Sequence, residues 1–152
     1  MTIREATVND IYAIVELLSD DDLGKTREQL ESPISVDYNN AFHIINSDPN
    51  QELMVVENEA KAVIATFQLT FIQYLNYCGG LRVQIEAVQV RKDLRGIGVG
   101  KHIFEWTIER AKERHAVILQ LTSDKRRPRA IKFYEDLGFT ATHEGMKMHF
   151  KY

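Results

Sequence analysis

Residues 90–101 read Val-Arg-Lys-Asp-Leu-Arg-Gly-Ile-Gly-Val-Gly-Lys, and the reading of this stretch decides the fold. An apolar run over 81–90 ends here, a charged turn follows, and Gly96, Gly98 and Gly100 open a helical pattern over about 98–114. Glycines at alternate positions strip side chains from a turn, so its N–H groups approach a ligand closely. The first turn of the helix adds unpaired N–H groups and the positive end of its dipole. Together they make a seat for a phosphate or pyrophosphate, with the charges of Arg95 and Lys101 at its flanks.

Spacing separates the families that use such a seat. The dinucleotide fingerprint needs Gly-x-Gly-x-x-Gly, and here the third glycine comes one residue early. The nucleotide P-loop needs four residues between its first Gly and the Gly-Lys pair. Only Ile97, Gly98 and Val99 intervene, and no Ser or Thr follows Lys101 to hold magnesium. Thirty residues on stands a second pattern, Ala130-Ile131-Lys132-Phe133-Tyr134-Glu135-Asp136-Leu137-Gly138-Phe139.

The two patterns together resemble the GNAT family of N-acetyltransferases. The first is similar to that family's coenzyme A loop, Arg or Gln, two residues, Gly, one residue, Gly or Ala, filled by Arg95, Gly98 and Gly100. The second matches the family's A-x-x-F-Y-x-x-x-G-F at every specified position. The motif-level likeness runs from about residue 83 to 139, and the earlier residues fit in their order of elements. The resemblance implies an α/β fold: one domain over 1–152, a mixed sheet of about seven strands with four helices, and fourth and fifth strands that splay apart. It implies acetyl-CoA as co-substrate, its thioester arm lying in the splay. The backbone of Val88, Gln89 and Val90 would bond the pantetheine like an added strand. Arg95, Gly96, Ile97, Gly98, Val99, Gly100 and Lys101 would hold the pyrophosphate.

Two residues are candidates for the proton transfers. Tyr134 matches the family tyrosine near the departing sulfur, and a phenol with pKa near 10 stays protonated at neutral pH. Its helical stripe equally suits a packed core tyrosine. Glu86 interrupts the apolar strand Val83-Gln84-Ile85-Glu86-Ala87-Val88, where a carboxylate is costly unless it faces a wet cavity or a partner such as Arg82. Partial burial would tune it towards accepting a proton through water. The surrounding string is similar to that of glucosamine-phosphate acetyltransferases, a seven-residue likeness that does not carry the substrate over. The sequence departs from the family at Arg127, seven residues before the tyrosine, where many members have Asn. Arg126, Arg127 or Arg129 then serves either the coenzyme's phosphates or a solvated face.

Composition sets the remaining bounds. A chain of 152 residues, 44% hydrophobic and 27% charged, is long enough to bury one ordinary core. Its net charge of −3 argues against a nucleic-acid surface, which needs a net basic face. A single cysteine, Cys78, excludes a disulfide framework, and the five histidines show no metal spacing. There is no apolar leader and no run approaching a membrane span, so no membrane partner and a cytoplasmic location are expected.

Apolar periodicity and turn signals predict strands at 2–5, 52–57, 62–74, 81–90, 116–121 and 146–152. They predict helices after Asn9 or Asp10, at 37–47, at 98–114 and at 128–137. Residues 19–38 read as a polar, mobile loop holding Asp20-Asp21-Asp22, and 76–80 as a turn. The last strand offers a surface for pairing across a two-fold axis, making a homodimer. An enzyme acting on a small-molecule or peptide amine is the first reading. A GNAT-fold module that binds acyl-CoA without turnover is the second. A ribosomal-protein or N-terminal acetyltransferase is the third, and it asks for an acidic groove.

Overall fold

The computed structural model describes residues 1–22 and 24–151. Five strands form one sheet in the order β1-β2-β3-β4-β5, with β1 Thr2–Glu5, β2 Gln51–Glu57, β3 Val63–Gln73, β4 Leu81–Val90 and β5 Ala116–Gln120. The first four are antiparallel neighbours, whereas β4 and β5 run parallel. Parallel neighbours need a long crossover, and helix α4, Val99–Glu113, supplies it. The other helices are α1 Ile11–Ser19, α2 Val36–Ser47, the single turn α3 Asn76–Gly79 and α5 Pro128–Asp136.

Two apolar cores sit on the two faces of the sheet. One is built from Val56, Phe67, Leu69, Val83 and Ile85 against Val99, Ile103, Phe104 and Ala111 of α4. These α4 positions fall at helical spacing on one side, which is what selects a helix for this segment. Phe104 is the contact between α4 and α5: its ring lies 5.7 Å from Phe133, 5.4 Å from Tyr134 and 5.9 Å from Phe139. The opposite core packs Ile11, Ile14 and Val15 of α1 and Phe42 of α2 on Val55. On α4, Gly100 and Ile108 are half-buried, while Val99, Ile103, Phe104, Thr107 and Ala111 are buried.

Two expectations are corrected. Five strands are present among the described residues rather than about seven. Residues 146–151 form no strand, and Tyr152 lies outside the described residues. The turn at 76–80 is wound the unusual way, with Tyr77 at φ 54°, Cys78 at 55° and Gly79 at 74°. The polar stretch after α1, apart from the undescribed Leu23, folds into successive turns. Gly24 and Lys25 donate to the Asp21 carbonyl, and the Tyr38 hydroxyl accepts from the Gln29 N–H at 2.9 Å.

The N-terminal strand is tied down by charge. Arg4 Nη1 meets Asp10 Oδ2 at 2.7 Å and Arg4 Nη2 meets Glu57 Oε1 at 2.6 Å, while the Thr7 N–H donates to Asp10 Oδ2 at 2.7 Å. The Arg4 hydrogen bond holds the Asp10 carboxyl below its usual range, against the upward push of burial. A carboxylate whose pKa is lower in the folded than in the unfolded chain stabilises the fold above the unfolded value. That contribution is lost as pH falls through the folded value. Asp10→Asn should therefore lower Tm by several degrees at neutral pH, and the deficit should shrink as pH drops below about 4, the ordinary aspartate value. Thermal melts of both proteins from pH 7 to pH 3 check this; a deficit that stays constant across the range contradicts it.

Candidate active site

The hydrogen-bonded ladder between β4 and β5 is short. It joins Leu81 to Ala116, Arg82 to Ile118, Val83 to Leu119 and Gln84 to Gln120, and then stops. From Ile85 to Val90, β4 keeps β3 on one side and has no strand on the other. This is the splay expected of the fourth and fifth strands. Unpaired backbone groups inside a sheet are costly unless water or a ligand satisfies them, so the bare edge marks a place for one. Val88 and Val90 both lie along it, and the Val90 carbonyl accepts from Arg95 Nε at 2.9 Å.

A bulge lies in the same half of β4. Gln68 pairs with Glu86 and Thr66 with Gln89, so Ala87 and Val88 together face the single residue Phe67. Ala87 takes φ 53°, a left-handed conformation that costs a non-glycine residue on the order of 1 kcal/mol or more. The extra residue shifts the alternation. Val88 and Val90 join the face of Val83 and Ile85, packed against the α4 core, while Glu86 and Gln89 turn to the opposite face. Nothing in the local sequence announces this: Ala87 is an ordinary strand residue, and the bulge depends on β3.

Glu86 is exposed, so the partial burial expected of it is absent, and among the described residues it has no ion pair with Arg82. Arg82 instead stacks over the Tyr74 ring, with its guanidinium carbon 4.2 Å from the centroid, and near Tyr77 at 5.1 Å. Its Nε is buried without a hydrogen-bond partner. Arg82, Gln84 and Glu86 alternate onto one face, where Gln84 Oε1 accepts from Gln120 Nε2 at 2.7 Å. A polar strip thus runs along β4 up to the end of the ladder. The strip was not foreseen beyond Glu86, although Arg82, Gln84 and Glu86 at period two are its signal.

Tyr134 approaches from the other face. It is half-buried among Phe104, Phe133 and Phe139, and burial raises its phenol above the ordinary value while Arg127 pulls the other way. Its hydroxyl makes no hydrogen bond among the described residues, so the proton it carries is uncommitted. The aromatic packing that made a plain core role plausible is therefore present, and the free hydroxyl goes beyond it.

The glycine loop follows β4 directly. A 3-10 turn at Lys92–Leu94 leads into Arg95, then Gly96 at φ 82° and Gly98 at φ 98°, the latter capping α4. A side chain on Gly96 or Gly98 would meet nothing within 4 Å, so both stand before open space, whereas one on Gly100 would touch Phe133 at 3.5 Å. Gly96 and Gly98 are required by backbone conformation, whereas nothing in the packing requires glycine at position 100. The N–H groups of Gly96, Ile97 and Gly98 find no backbone acceptor among the described residues, and the first α-helical bond comes only at His102 to Gly98. Those of Val99, Gly100 and Lys101 are the unpaired donors of the first helical turn. The cradle fits a pyrophosphate on this chain's own geometry.

The acidic run after α1 meets the loop. Asp20 lies 3.9 Å from Arg95 Nη2, Asp22 lies 3.4 Å from Lys25 Nζ, and Lys101 pairs with Glu105 at 3.7 Å. Asp21 accepts from Gln89 Nε2 at 3.3 Å and faces Arg127 Nη1 at 3.8 Å, so one carboxylate links β4 to the start of α5. Because each acid already has a basic partner, the run is not an open acidic groove. Arg126 is occupied by Asp124 at 2.7 Å. Arg127 is the arginine of its cluster that the fold brings towards Gln89. Among the described residues no cluster of His, Cys, Asp and Glu suits a metal, and no helix is long and apolar enough to cross a membrane.

Comparison with known proteins agrees with this geometry. The family model of the acetyltransferase (GNAT) family matches residues 11–139. A solved structure described as a transcriptional regulator from Bacillus halodurans C-125 is 49% identical, covers 98% of this chain and 99% of its own, and superposes with a TM-score of 0.95. Glucosamine-6-phosphate N-acetyltransferase from Arabidopsis thaliana shares the fold at 22% identity and a TM-score of 0.81, covering 99% of this chain and 98% of its own. So does a predicted acetyltransferase from Clostridium acetobutylicum, solved with acetyl-CoA, at 22% identity and a TM-score of 0.73, covering 97% of this chain and 95% of its own. No curated protein matched. With a bare β4 edge, a glycine cradle at its end and a family match over most of its length, the chain belongs to the GNAT acetyltransferase family.

Proposed function

We propose that this protein is an acetyl-CoA-dependent N-acetyltransferase that carries the acetyl group directly to a primary amine in a ternary complex. The observation that carries the reading is the unpaired edge of β4 running straight into the cradle of Gly96 and Gly98. The edge offers the backbone of Val88, Gln89 and Val90 to the pantetheine amides. Arg95 to Lys101 offer N–H groups and charge to the pyrophosphate, and Arg127 adds a third cation. Bound there, acetyl-CoA supplies an activated acyl group as its thioester.

Two side chains of this chain then handle protons. An ammonium acceptor must lose one before its nitrogen attacks. Glu86, exposed on the polar face at the end of the ladder, accepts it through water. The leaving sulfur needs a proton, and Tyr134 donates it, since burial keeps the phenol protonated at neutral pH. The two groups reach the gap from opposite faces of the sheet. Arg82, Gln84 and the aromatic pair Tyr74 and Tyr77 lie on the acceptor's side of this arrangement.

A second reading has one specific observation behind it: the 49% identical chain is described as a transcriptional regulator. Under that reading the same cleft holds acyl-CoA and reports it without turnover. Release of free thiol from acetyl-CoA, screened over polyamines, amino sugars, amino acids and peptides, separates the two. Turnover with one amine class supports the enzyme, and binding without any turnover supports the regulator. The paired state of Asp20, Asp21 and Asp22 speaks against the acidic groove that a ribosomal-protein or N-terminal acetyltransferase would want.

Acetyl-CoA at a hundredfold excess over its Kd should stabilise the fold by about 2.7 kcal/mol, raising Tm by roughly 5–10 °C. Gly98→Val should abolish that shift by filling the space in front of the cradle. Any residue at φ 98° also carries backbone strain, about 1–2 kcal/mol, so Gly138→Ala, at the same φ but outside the loop, is the control. It should melt lower yet keep the full ligand shift. An unchanged ligand shift in Gly98→Val places the anion seat elsewhere.

Tyr134→Phe keeps the packing on Phe104 and removes only the hydroxyl. Binding of acetyl-CoA should stay within a few-fold, and kcat should fall roughly ten- to a thousandfold. Wild-type turnover, measured where chemistry limits the rate, would leave Tyr134 as packing alone.

Glu86→Gln should leave the fold and acetyl-CoA affinity intact, because the side chain is exposed. Its kcat should fall by a similar factor at neutral pH and recover as pH approaches the acceptor amine's own pKa, where no base is needed. A variant that retains the wild-type rate and pH profile removes Glu86 from the mechanism.

A further inference from the structure

The core beneath α1 and α2 covers only part of its side of the sheet. Leu53, Val55 and Val63 carry it, and no residue of β4 or β5 belongs to it. Further along the same side, Gln51, Thr70, Gln84 and Gln120 form one row across four strands. On β4, Glu86 lies one step to one side of this row and Arg82 one step to the other. Ile72 and Ile118, which flank Arg82, are half-buried and join neither core. Gln120 and Gln84 share one hydrogen bond at 2.7 Å, and each amide keeps further donor and acceptor capacity.

This amide floor ends in two charges that lack counter-ions. Eight of the ten arginines are paired to a carboxylate, and the other two are the exposed Arg129 and the half-buried Arg82. Arg82 Nε is buried without a partner, and the rest of the guanidinium makes no hydrogen bond or ion pair among the described residues. The rings of Tyr74 and Tyr77, 4.2 and 5.1 Å away, hold it by cation–π contact, which consumes none of its N–H donors. Tyr77 arrives there through a turn in which it and Cys78 take φ of 54° and 55°, a left-handed conformation costly for residues other than glycine. At the other end of the floor, Glu86 is exposed and equally without a partner among the described residues. Four residues of strand put the two Cα atoms about 13 Å apart. Arg82 stacks on the β3–β4 turn rather than pairing with Glu86.

We infer that the acceptor is a primary amine carrying a carboxylate or phosphate at the far end of a short chain, with Arg82 holding the anion and Glu86 receiving the ammonium. This rests on the reading of the cleft as an N-acetyltransferase site and adds its substrate class. Charge complementarity selects the occupant, since an unpaired cation and an unpaired anion on one floor match a molecule with the opposite charges at its two ends. A guanidinium also offers the oxyanion a fork of N–H groups. A diamine would set an ammonium against Arg82. An α-amino acid, whose charges flank a single carbon, cannot span both. Glu86 lies beside the open edge of β4, so the amine end is the one next to the thioester. The N–C bond forms as the C–S bond breaks. The ammonium gives up two protons, one to the leaving sulfur and one through Glu86 to water.

The probes are ω-aminohexanoate and ω-aminohexyl phosphate, set against neutral ω-aminohexanol and against hexane diamine. They are compared by kcat/KM with acetyl-CoA and by calorimetric binding to the coenzyme A-loaded protein. One anionic amine should be preferred over aminohexanol by about tenfold or more, the scale of one charge-assisted hydrogen bond. Which of the two is preferred tells carboxylate from phosphate, and hexane diamine should rank last. In Arg82→Gln the preference should fall to within about twofold, with the acetyl-CoA rise in Tm kept as the sign of an intact fold. Arg82→Lys should keep part of the preference, because it retains the charge without the fork. Equal use and binding of aminohexanol by the wild type overturns the inference, and so does an unreduced preference in either variant. Preferential binding without turnover of any amine overturns the acetyltransferase reading and leaves the anion subsite standing. Turnover of amines without the preference does the reverse.

Discussion

The early end of the β4–β5 ladder is the constraint on which the rest depends. Four residue pairs hold the two strands together, and beyond Gln84 the sheet opens. A backbone edge within a sheet has to find donors and acceptors somewhere. Leaving one edge of residues 85–90 without a neighbouring strand is tolerable because that edge faces a gap that solvent or a ligand fills. The bulge at Ala87 belongs to the same device. It adds local strain, and it separates the two faces so that Val88 and Val90 pack on the α4 core while Glu86, exposed, and Gln89, buried, take the opposite face.

Around this opening the fold is held firmly. α4 crosses from β4 to β5 with Ile103, Phe104 and Thr107 fully buried. Phe104 in turn anchors three aromatic rings that include Tyr134. Arg110 of α4 pairs with the buried Glu52 on β2, and the opposite side is tied by Arg4 with Asp10 and Glu57. Rigid packing on both sides of a bare edge is what a site for oriented group transfer needs, because small displacements of reacting groups are expensive in rate. Asp21 spans the opening by meeting both Gln89 and Arg127. A ligand entering the cleft meets that pair of contacts as well as the glycine cradle.

Much of the fold was legible in the residues. Helices at 99–113 and 128–136 and strands at 51–57, 63–73 and 116–120 lie within a residue or so of the expected bounds, and 81–90 coincides. These segments carry their period in their own side chains. The final strand was misjudged as part of the sheet because alternation states which way side chains point, not which edge they pair with. Glu86 was expected to be partly buried because its neighbours are apolar, and the bulge next to it together with the open edge leaves it in water.

The sequence by itself determined the features that need only local chemistry. Positive φ at positions 96 and 98 demands glycine, the Phe133–Tyr134 pair sits at helical spacing, and the order of elements forces a parallel crossover after β4. The tertiary structure alone decided where the β4–β5 ladder ends, that Ala87 bulges, that Asp21 meets Gln89 and Arg127, and that residues 140–151 form no backbone hydrogen bond to the rest of the chain among the described residues. Each of these depends on a hydrogen bond or packing contact between residues far apart in the chain, and such a contact leaves no periodic trace in either segment alone.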